Sequence, residues 1–359
     1  MNHEKRIART GEALDGSGID ALLVTNLTNV RYLTGFSGTN GQVLIARSGA
    51  WFFSDPRYAA RAGALVQGAE VGIYPNRLTE LLPERVKAEG VARLGLEAAA
   101  VTLTERDQLE EELSGIELVP CKDIIEDHRR TKDPDEIAAL RRAVEIGDET
   151  FDWLLGRLRP GITERAVALD LEVHMRTTGA DAISFDPIVG SGPLSAHIHH
   201  TPSDRTLRDG DLVLLDFGSL VDGYCSDLTR TVVLGPATDT QRETYALVLA
   251  AQERGIAAAR AGARCVDVDA AARAVIGDAG HAQHFGHGLG HGVGLDIHEA
   301  PRLHRTSEEQ LRSGDVVTVE PGVYVLDSGG IRIEDCVLVT EDEADVLTKA
   351  PKNDLLEVG

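Results

Sequence analysis

The sequence predicts an α/β (α+β) protein of two domains, the second built from a duplicated β unit with pseudo-two-fold symmetry. Three observations support this fold class. The chain has 359 residues, which at about 150 residues per domain allows two domains with sizeable cores. Short apolar runs alternate with helical patterns up to about residue 125. Farther along, the segments 210–218 and 314–322 follow one template.

The first domain is predicted to alternate strands with helices. Its β-like runs, bounded mainly by Gly, Ser and Asn, are residues 20–25, 41–46, 50–54 and 116–120. The apolar spacing of a helix occurs over residues 57–66 and 104–113. A polar stretch at 126–132 follows, and we place the boundary within it, which gives domains at 1–127 and 128–359.

A long helix is predicted to open the second domain. Asp133 is its expected N-cap, Pro134 occupies the first helical position and Glu136 the third. The run Arg159-Pro-Gly161 is expected to stop it. Further helices are predicted over residues 163–178 and 238–260, and from 267 to about 280.

Charge and cysteine usage exclude several classes of protein. Lys and Arg number 36 against 58 Asp and Glu, for a net charge of −22. Such acidity, without a basic stretch, argues against partners such as nucleic acid or anionic membrane. No apolar run reaches the ~18 residues of a membrane span. The first residues lack the apolar core of a signal peptide, and the four cysteines form no CxxC pair, so we expect a cytoplasmic protein.

The two similar segments carry matching acids. Each has a Gly-Asp turn, a four-residue apolar strand, a carboxylate (Asp216 or Glu320) and a glycine two residues later. A second strand follows each segment and bears another acid, Asp227 or Glu334. The simplest account is a duplication whose four carboxylates converge on the symmetry axis. The alternative is a coincidence between two turn-and-strand segments.

Four carboxylates on apolar strands are costly to bury unless they are paired, protonated or bound to metal. Only Arg230 and Arg332 lie close in sequence. Arg230, three residues past Asp227, falls on the opposite face of its strand and is expected to be structural. Two divalent cations would supply four positive charges against four negative ones. The sequence therefore favours a dinuclear metal site.

A fifth ligand is expected from the histidine-rich segment 284–298. Nine of the 12 histidines lie between residues 197 and 304. His287 and His291 are four apart, but alternating glycines argue against a helix and for a tight loop. We expect one histidine to be a ligand and two to be hydrogen-bonding groups, the alternative being that all are structural. Carboxylates plus one imidazole suit Mn²⁺ best, with Co²⁺, Fe²⁺ or Zn²⁺ as alternatives.

These residues resemble the pita-bread metallopeptidases, and within them the aminopeptidase P and prolidase branch. The motifs that carry the resemblance are Asp227-Leu-Thr-Arg-Thr231, His287-Gly-Leu-Gly-His291, Leu295-Asp-Ile-His298, Val319-Glu-Pro-Gly322 and Gly330-Ile-Arg-Ile-Glu334. The runs Asn29-Val-Arg-Tyr-Leu-Thr-Gly-Phe36 and Asp55-Pro-Arg-Tyr58 are similar to the creatinase-like amino-terminal domain of that branch. The resemblance therefore spans nearly the whole chain.

The resemblance implies a role for each acid. Asp216 corresponds to a ligand of one metal only, and Asp227 and Glu334 correspond to bridging carboxylates. His291 and Glu320 correspond to ligands of the other metal, and Glu320 also matches the general acid/base. Because all five ligand types are present, the resemblance argues against a metal-free, creatinase-type hydrolase and against an inactive binding module, which should have lost a ligand.

The resemblance also assigns groups around the metals. His199 matches a substrate-contacting histidine, His298 the group that stabilises the tetrahedral intermediate, and His287 a neighbour lining the pocket. Arg332 can be placed independently: side chains alternate along a strand, so it shares a face with Glu334 and should reach the site.

The activity implied is removal of an N-terminal residue from a peptide with proline at its second position, by a protein that commonly forms homodimers. The connection 299–319 is short, so any carboxylate-binding loop of long prolidases is missing. This favours an aminopeptidase P, with a prolidase acting on dipeptides as the alternative. A methionine aminopeptidase would lack the long amino-terminal domain. A kinase, suggested by Asp216-Phe-Gly218, would need further motifs that are absent.

Overall fold

The computed structural model describes residues 1–359, which form two units, Met1–Arg129 and Arg130–Gly359. Each unit has its own sheets and its own apolar core. No helix in either unit has both the length and the apolar character that crossing a membrane requires.

A mixed six-stranded sheet forms the centre of the first unit. Its strands are β1 (Ala21–Val24), β2 (Gln42–Ala46), β3 (Gly49–Ser54), β4 (Glu70–Ile73), β5 (Arg93–Glu97) and β6 (Glu117–Cys121). They lie in the order β4-β3-β2-β1-β5-β6. The pairs β1–β2 and β2–β3 are antiparallel and the other pairs parallel. All four predicted strands are confirmed, whereas β4, a half-exposed strand at the sheet edge, and β5 were not predicted.

Six helices accompany this sheet. They are α1 (His3–Ser17), α2 (Leu27–Thr34), α3 (Ala59–Leu65), α4 (Leu82–Ala88), α5 (Leu103–Glu112) and α6 (Ile124–Arg130). Short 3₁₀ turns cover Pro56–Tyr58 and Leu78–Glu80. The two predicted helices are therefore present, the first as a 3₁₀ turn that continues into α3. A capping box between Thr102 and Glu105 fixes the start of α5.

The polar stretch at 126–132, in which the sequence analysis placed the domain boundary, belongs mostly to α6. His128, Arg129 and Arg130 are buried there. The two arginines have polar partners, which offset the free-energy cost of removing their charges from water. Arg129 donates to the Asn29 side-chain oxygen at 2.8 Å, and Arg130 forms an ion pair with Asp315 at 2.9 Å. Since both partners are distant in sequence, composition alone could not reveal this burial.

Four longer helices belong to the second unit. They are α7 (Pro134–Leu155), α8 (Glu164–Thr178), α9 (Asp239–Ala258) and α10 (Cys265–Asp278). The start of α7 is confirmed: Asp133 caps it, and Glu136 completes the capping box. The helix ends at Leu155, ahead of the predicted stop at residues 159–161. Short 3₁₀ turns cover Gly192–Ala196 and Ala282–His284.

The second unit has four sheets, and helices cover the two larger ones. The strands of its first half are β7 (Ala182–Ile183), β8 (Ile188–Ser191), β9 (Leu212–Phe217), β10 (Ser219–Val221), β11 (Tyr224–Cys225) and β12 (Leu228–Leu234). Those of its second half are β13 (Gly290–Gly292), β14 (Glu299–Leu303), β15 (Val316–Val319), β16 (Gly322–Val325), β17 (Gly329–Arg332), β18 (Asp335–Val339) and β19 (Ala344–Val346). The last strand, β20 (Glu357–Val358), pairs with β12.

The two halves repeat one arrangement. In the first, α7 and α8 pack on the antiparallel pair β9–β12, and in the second, α9 and α10 pack on the antiparallel pair β15–β18. A small sheet connects the two strands of each pair. In the first half β10 and β11 form it together with β7, and in the second half it consists of β16 and β17. The duplicated unit predicted from the similar segments is therefore confirmed.

Candidate functional site

The four acids of the duplicated segments lie at equivalent ends of the two central strand pairs. Asp216 lies near the end of β9 and Glu320 directly follows β15, while Asp227 and Glu334 directly precede β12 and β18. Because the strands of each pair run antiparallel, the end of one strand meets the start of the next. Asp216, Asp227 and Glu334 are at most 8% exposed. The antiparallel pairing of these strands therefore places carboxylates that are distant in sequence in the protein interior.

His291, on β13, faces these acids. Its ligand atom and those of Asp227 and Glu334 all lie within 4.8 Å of one another. The His291 Nε2 atom is 3.6 Å from Asp227 Oδ2 and 3.5 Å from Glu320 Oε1. Three of the predicted ligands thus form a compact set, and the fourth adjoins it.

The protonation of His291 suits metal binding. Its Nδ1–H donates to the Gly292 carbonyl oxygen at 3.0 Å, which leaves the Nε2 lone pair directed at the acids. Burial lowers the pKa of His291 to about 4, so the ring is neutral near pH 7. Histidine ligands of metals characteristically have this second hydrogen bond, which fixes the tautomer.

The carboxylates carry more negative charge than the protein itself neutralises. Burial, together with the neighbouring acids, raises the pKa of Asp227 and of Glu334 well above the usual range and that of Glu320 to about 8. Burial raises the pKa of Asp216 as well, against the opposing effect of Arg332. The buried Asp216 Oδ1 has no hydrogen-bond partner. Arg332, the cation that contacts them, cannot neutralise four carboxylates, and an oxygen-rich set with one imidazole fits two divalent ions.

Arg332 is the cation nearest the acids, as strand alternation predicts. Its guanidinium donates to Asp216 Oδ2 at 2.5 Å, to the Thr229 hydroxyl at 3.0 Å and to the Tyr324 hydroxyl at 2.9 Å. Thr229 in turn donates to Glu334 Oε2 at 2.6 Å. Arg332 therefore orients carboxylates from both halves of the duplicated unit, and its three nitrogens are all engaged.

His287 and Tyr324 form a second hydrogen-bonded pair in the site. The His287 Nδ1–H donates to the Gly288 carbonyl oxygen at 2.7 Å, so the Tyr324 hydroxyl donates to Nε2 at 2.9 Å. Burial lowers the pKa of His287 to about 3 and raises that of Tyr324 to about 12, so both side chains are neutral. Sequence analysis missed Tyr324, whose only signal is its place on the strand that follows Glu320.

The residues of the site line one cavity with a volume of about 570 Å³. Every site residue selected from the sequence lines it: His199, Asp216, Asp227, His287, His291, His298, Glu320, Arg332 and Glu334. The His298 ring packs edge-on against the His291 ring with 4.3 Å between centroids. The cavity wall also has side chains without a sequence-based assignment: Phe185, Asp186, Ile188, Ile198, Ile297, Arg302 and His304. Arg230 does not line the cavity and instead binds Asp335 and nearby backbone carbonyls.

Comparisons with known proteins identify the family of this chain. The sequence pattern of metallopeptidase family M24 matches residues 138–341, and that of the creatinase/prolidase N-terminal domain matches residues 6–131. An Xaa-Pro dipeptidase from Pyrococcus horikoshii is 35% identical over 350 residues, covering 97% of this chain and 98% of that protein.

Two solved structures cover nearly the whole chain. That of an Xaa-Pro dipeptidase from Bacillus anthracis has a TM-score of 0.96 and 39% identity, over 99% of this chain and 100% of the other. That of an X-Pro aminopeptidase from Thermotoga maritima has a TM-score of 0.90 and 32% identity, over 98% of this chain and 99% of the other. Because the family pattern spans more than half of the chain, and relatives match both units, this protein belongs to metallopeptidase family M24 and has a creatinase/prolidase N-terminal domain.

Proposed function

We propose that this metallopeptidase is an Xaa-Pro dipeptidase that requires two divalent ions, with Mn²⁺ as the preferred metal. Sequence analysis favoured aminopeptidase P because the connection 299–319 lacks an extended loop. The relatives support the alternative, dipeptidase, better, since the Pyrococcus horikoshii and Bacillus anthracis proteins are both Xaa-Pro dipeptidases. The observation that carries the proposal is a free arginine in the cavity wall.

That arginine is Arg302, on β14. The strand pairs with β13 in a register that sets Arg302 opposite His291. Its side chain is exposed and makes no ion pair, in contrast to Arg332, whose nitrogens are engaged by the site itself. A dipeptide ends in a carboxylate directly after its proline, and arginine recognises carboxylates with two parallel hydrogen bonds. Arg302 lies within the connection 299–319 itself and would therefore provide a carboxylate-binding group without an extended loop.

Asp216, Asp227, His291, Glu320 and Glu334 would hold the metals. When bound, divalent ions lower the pKa of water and polarise a substrate carbonyl. An Xaa-Pro bond is a tertiary amide whose nitrogen has no hydrogen to donate, so the enzyme must recognise the bond through its other groups.

The protein's own side chains then move protons and stabilise charge. Hydrolysis adds a hydroxyl to the Xaa carbonyl carbon and a proton to the departing prolyl nitrogen. We assign that proton transfer to Glu320. His298 stabilises the negative charge that develops on the carbonyl oxygen, His199 contacts the substrate, and His287 lines the pocket beside them. Arg332 acts by orienting Asp216.

Replacing Arg302 with methionine tests the proposal. A hydrogen-bonded charge pair contributes about 1.5–3 kcal/mol, so we expect KM for Ala-Pro to rise about 10- to 100-fold with little change in kcat. Ala-Pro amide lacks the carboxylate, and its kinetics should hardly change. Arg305→Met is the matched control, because it removes an exposed positive charge that does not line the cavity. An Arg302→Met protein with native KM for Ala-Pro would contradict this role.

A further inference from the structure

One buried carboxylate outside the cavity accepts an unusual number of hydrogen bonds. Glu164, the first residue of α8, is 0% exposed. Its Oε1 atom accepts from the Ser191 amide at 2.8 Å and the Ser191 hydroxyl at 2.6 Å. Its Oε2 atom accepts from His200 Nε2 at 2.8 Å, the Ser203 amide at 3.0 Å and the Ser203 hydroxyl at 2.6 Å. All five donors belong to residues 191–203.

The two oxygens bind opposite ends of this segment. Ser191 ends β8, and the chain then passes through the 3₁₀ turn Gly192–Ala196 to His199 before reaching Ser203. The carboxylate of Glu164 therefore ties the start of the segment to its end. Because α8 is a fifteen-residue helix packed in the core, the anchor point is itself fixed.

His199 depends on this anchor. Its ring lines the cavity and is exposed there, and it makes no hydrogen bond within the protein. Ring packing does not hold it either, since the histidine ring contact in this segment, a tilted pair with 6.3 Å between centroids, is formed by its neighbours His197 and His200. The position of His199 is therefore set by its backbone, and the backbone is held through the adjacent His200.

We infer that Glu164 is the positioning residue for His199: it acts through the segment 191–203 and touches neither substrate nor metal ligands. This inference rests on the role proposed for His199. Misplacing a catalytic group by 1 Å can lower a rate by up to about 100-fold, so the effect of losing the anchor should appear in kcat.

A double-mutant cycle with Glu164→Gln and His199→Ala tests the inference. Glutamine keeps the shape of glutamate, but its NH₂ group cannot accept and would face donors. We expect Glu164→Gln to lower kcat for Ala-Pro about 10- to 100-fold, and to have no further effect when His199 is already alanine. Ser203→Ala removes one donor and leaves the carboxylate in place, so it should show a smaller effect of the same kind. Equal losses of kcat in both backgrounds would overturn the inference.

Histidine NMR provides a readout that does not depend on peptidase activity. In protein with ¹³C-labelled histidine, the His199 ring signal, assigned from its loss in His199→Ala, should shift or broaden in Glu164→Gln. The matched control is Glu97→Gln, which alters a buried carboxylate in the first unit that accepts from Thr25, Asn26 and Asn29. A His199 signal unchanged in Glu164→Gln would refute the anchor. Failure of native protein to cleave Ala-Pro would instead refute the proposed function.

Discussion

Replacing Asp227 with alanine is expected to abolish metal binding and turnover of Ala-Pro together. Asp227 lies within 4.8 Å of the ligand atoms of both His291 and Glu334, and the resemblance assigns it to bridge both ions. Losing a bridging carboxylate removes a ligand from each metal. Turnover should therefore fall to the level of the chelated native protein, and metal analysis after desalting should find the ions lost.

The control for this prediction is Asp345→Ala, which removes an acid whose exposed ion pair with Arg141 lies outside the cavity. This variant should keep two ions per chain and the native kcat. If Asp227→Ala itself retained two ions per chain, the bridging assignment would be wrong, whatever happened to the rate.

Replacing Arg230 with methionine should cause the largest loss of stability. The Arg230 side chain is 1% exposed and forms an ion pair at 2.8 Å with Asp335, whose side chain is 0% exposed. It also donates to the carbonyl oxygens of Glu334, Pro351 and Ala350. Removing Arg230 would leave Asp335 with Lys352 as its remaining cation, and breaking a buried ion pair lowers the free energy of unfolding by about 3–5 kcal/mol.

Urea unfolding of the metal-free protein measures this loss. The matched control is Arg157→Met, whose ion pair with Asp170 has side chains 46% and 29% exposed, and which should change the free energy of unfolding by less than about 1 kcal/mol. A loss below about 1 kcal/mol for Arg230→Met would show that Asp335 is stabilised without Arg230, for example by Lys352.

The candidate ligand set could be predicted from the sequence because duplication repeats a local pattern. The turn, apolar strand and acid at Asp216 and at Glu320 are each contained within a few residues, so their chemistry can be recognised without knowing the fold. The glycines beside His291 were equally informative. A Cβ atom at Gly290 would lie 2.0 Å from the Thr318 carbonyl oxygen, and one at Gly292 would lie 2.2 Å from that of Ala300. Only glycine permits this close approach of the strands, and the low helix propensity of glycine also disfavours a helix here.

Other parts of the site depend on tertiary pairing and left no such local signal. Tyr324 matters because the β16–β17 hairpin brings it to Arg332 and His287. Arg302 matters because β14 pairs with β13, with a register shift between His291 and Gly292. The helix α6 was missed for the same reason, since its buried charges are stabilised by distant partners. Composition identifies which groups are present, but the strand register determines which of them meet.

The most direct test compares initial rates of hydrolysis of Ala-Pro and Ala-Pro-Ala by the Mn²⁺-loaded native protein, each beside a chelated control. In the tripeptide the carboxylate is displaced by one residue from the position that Arg302 would bind. We therefore expect metal-dependent cleavage of Ala-Pro with a kcat/KM at least about 10-fold higher than that for Ala-Pro-Ala. Equal or faster release of alanine from the tripeptide would contradict the dipeptidase account and indicate an aminopeptidase P. Cleavage of neither peptide with any divalent metal would refute the catalytic account altogether.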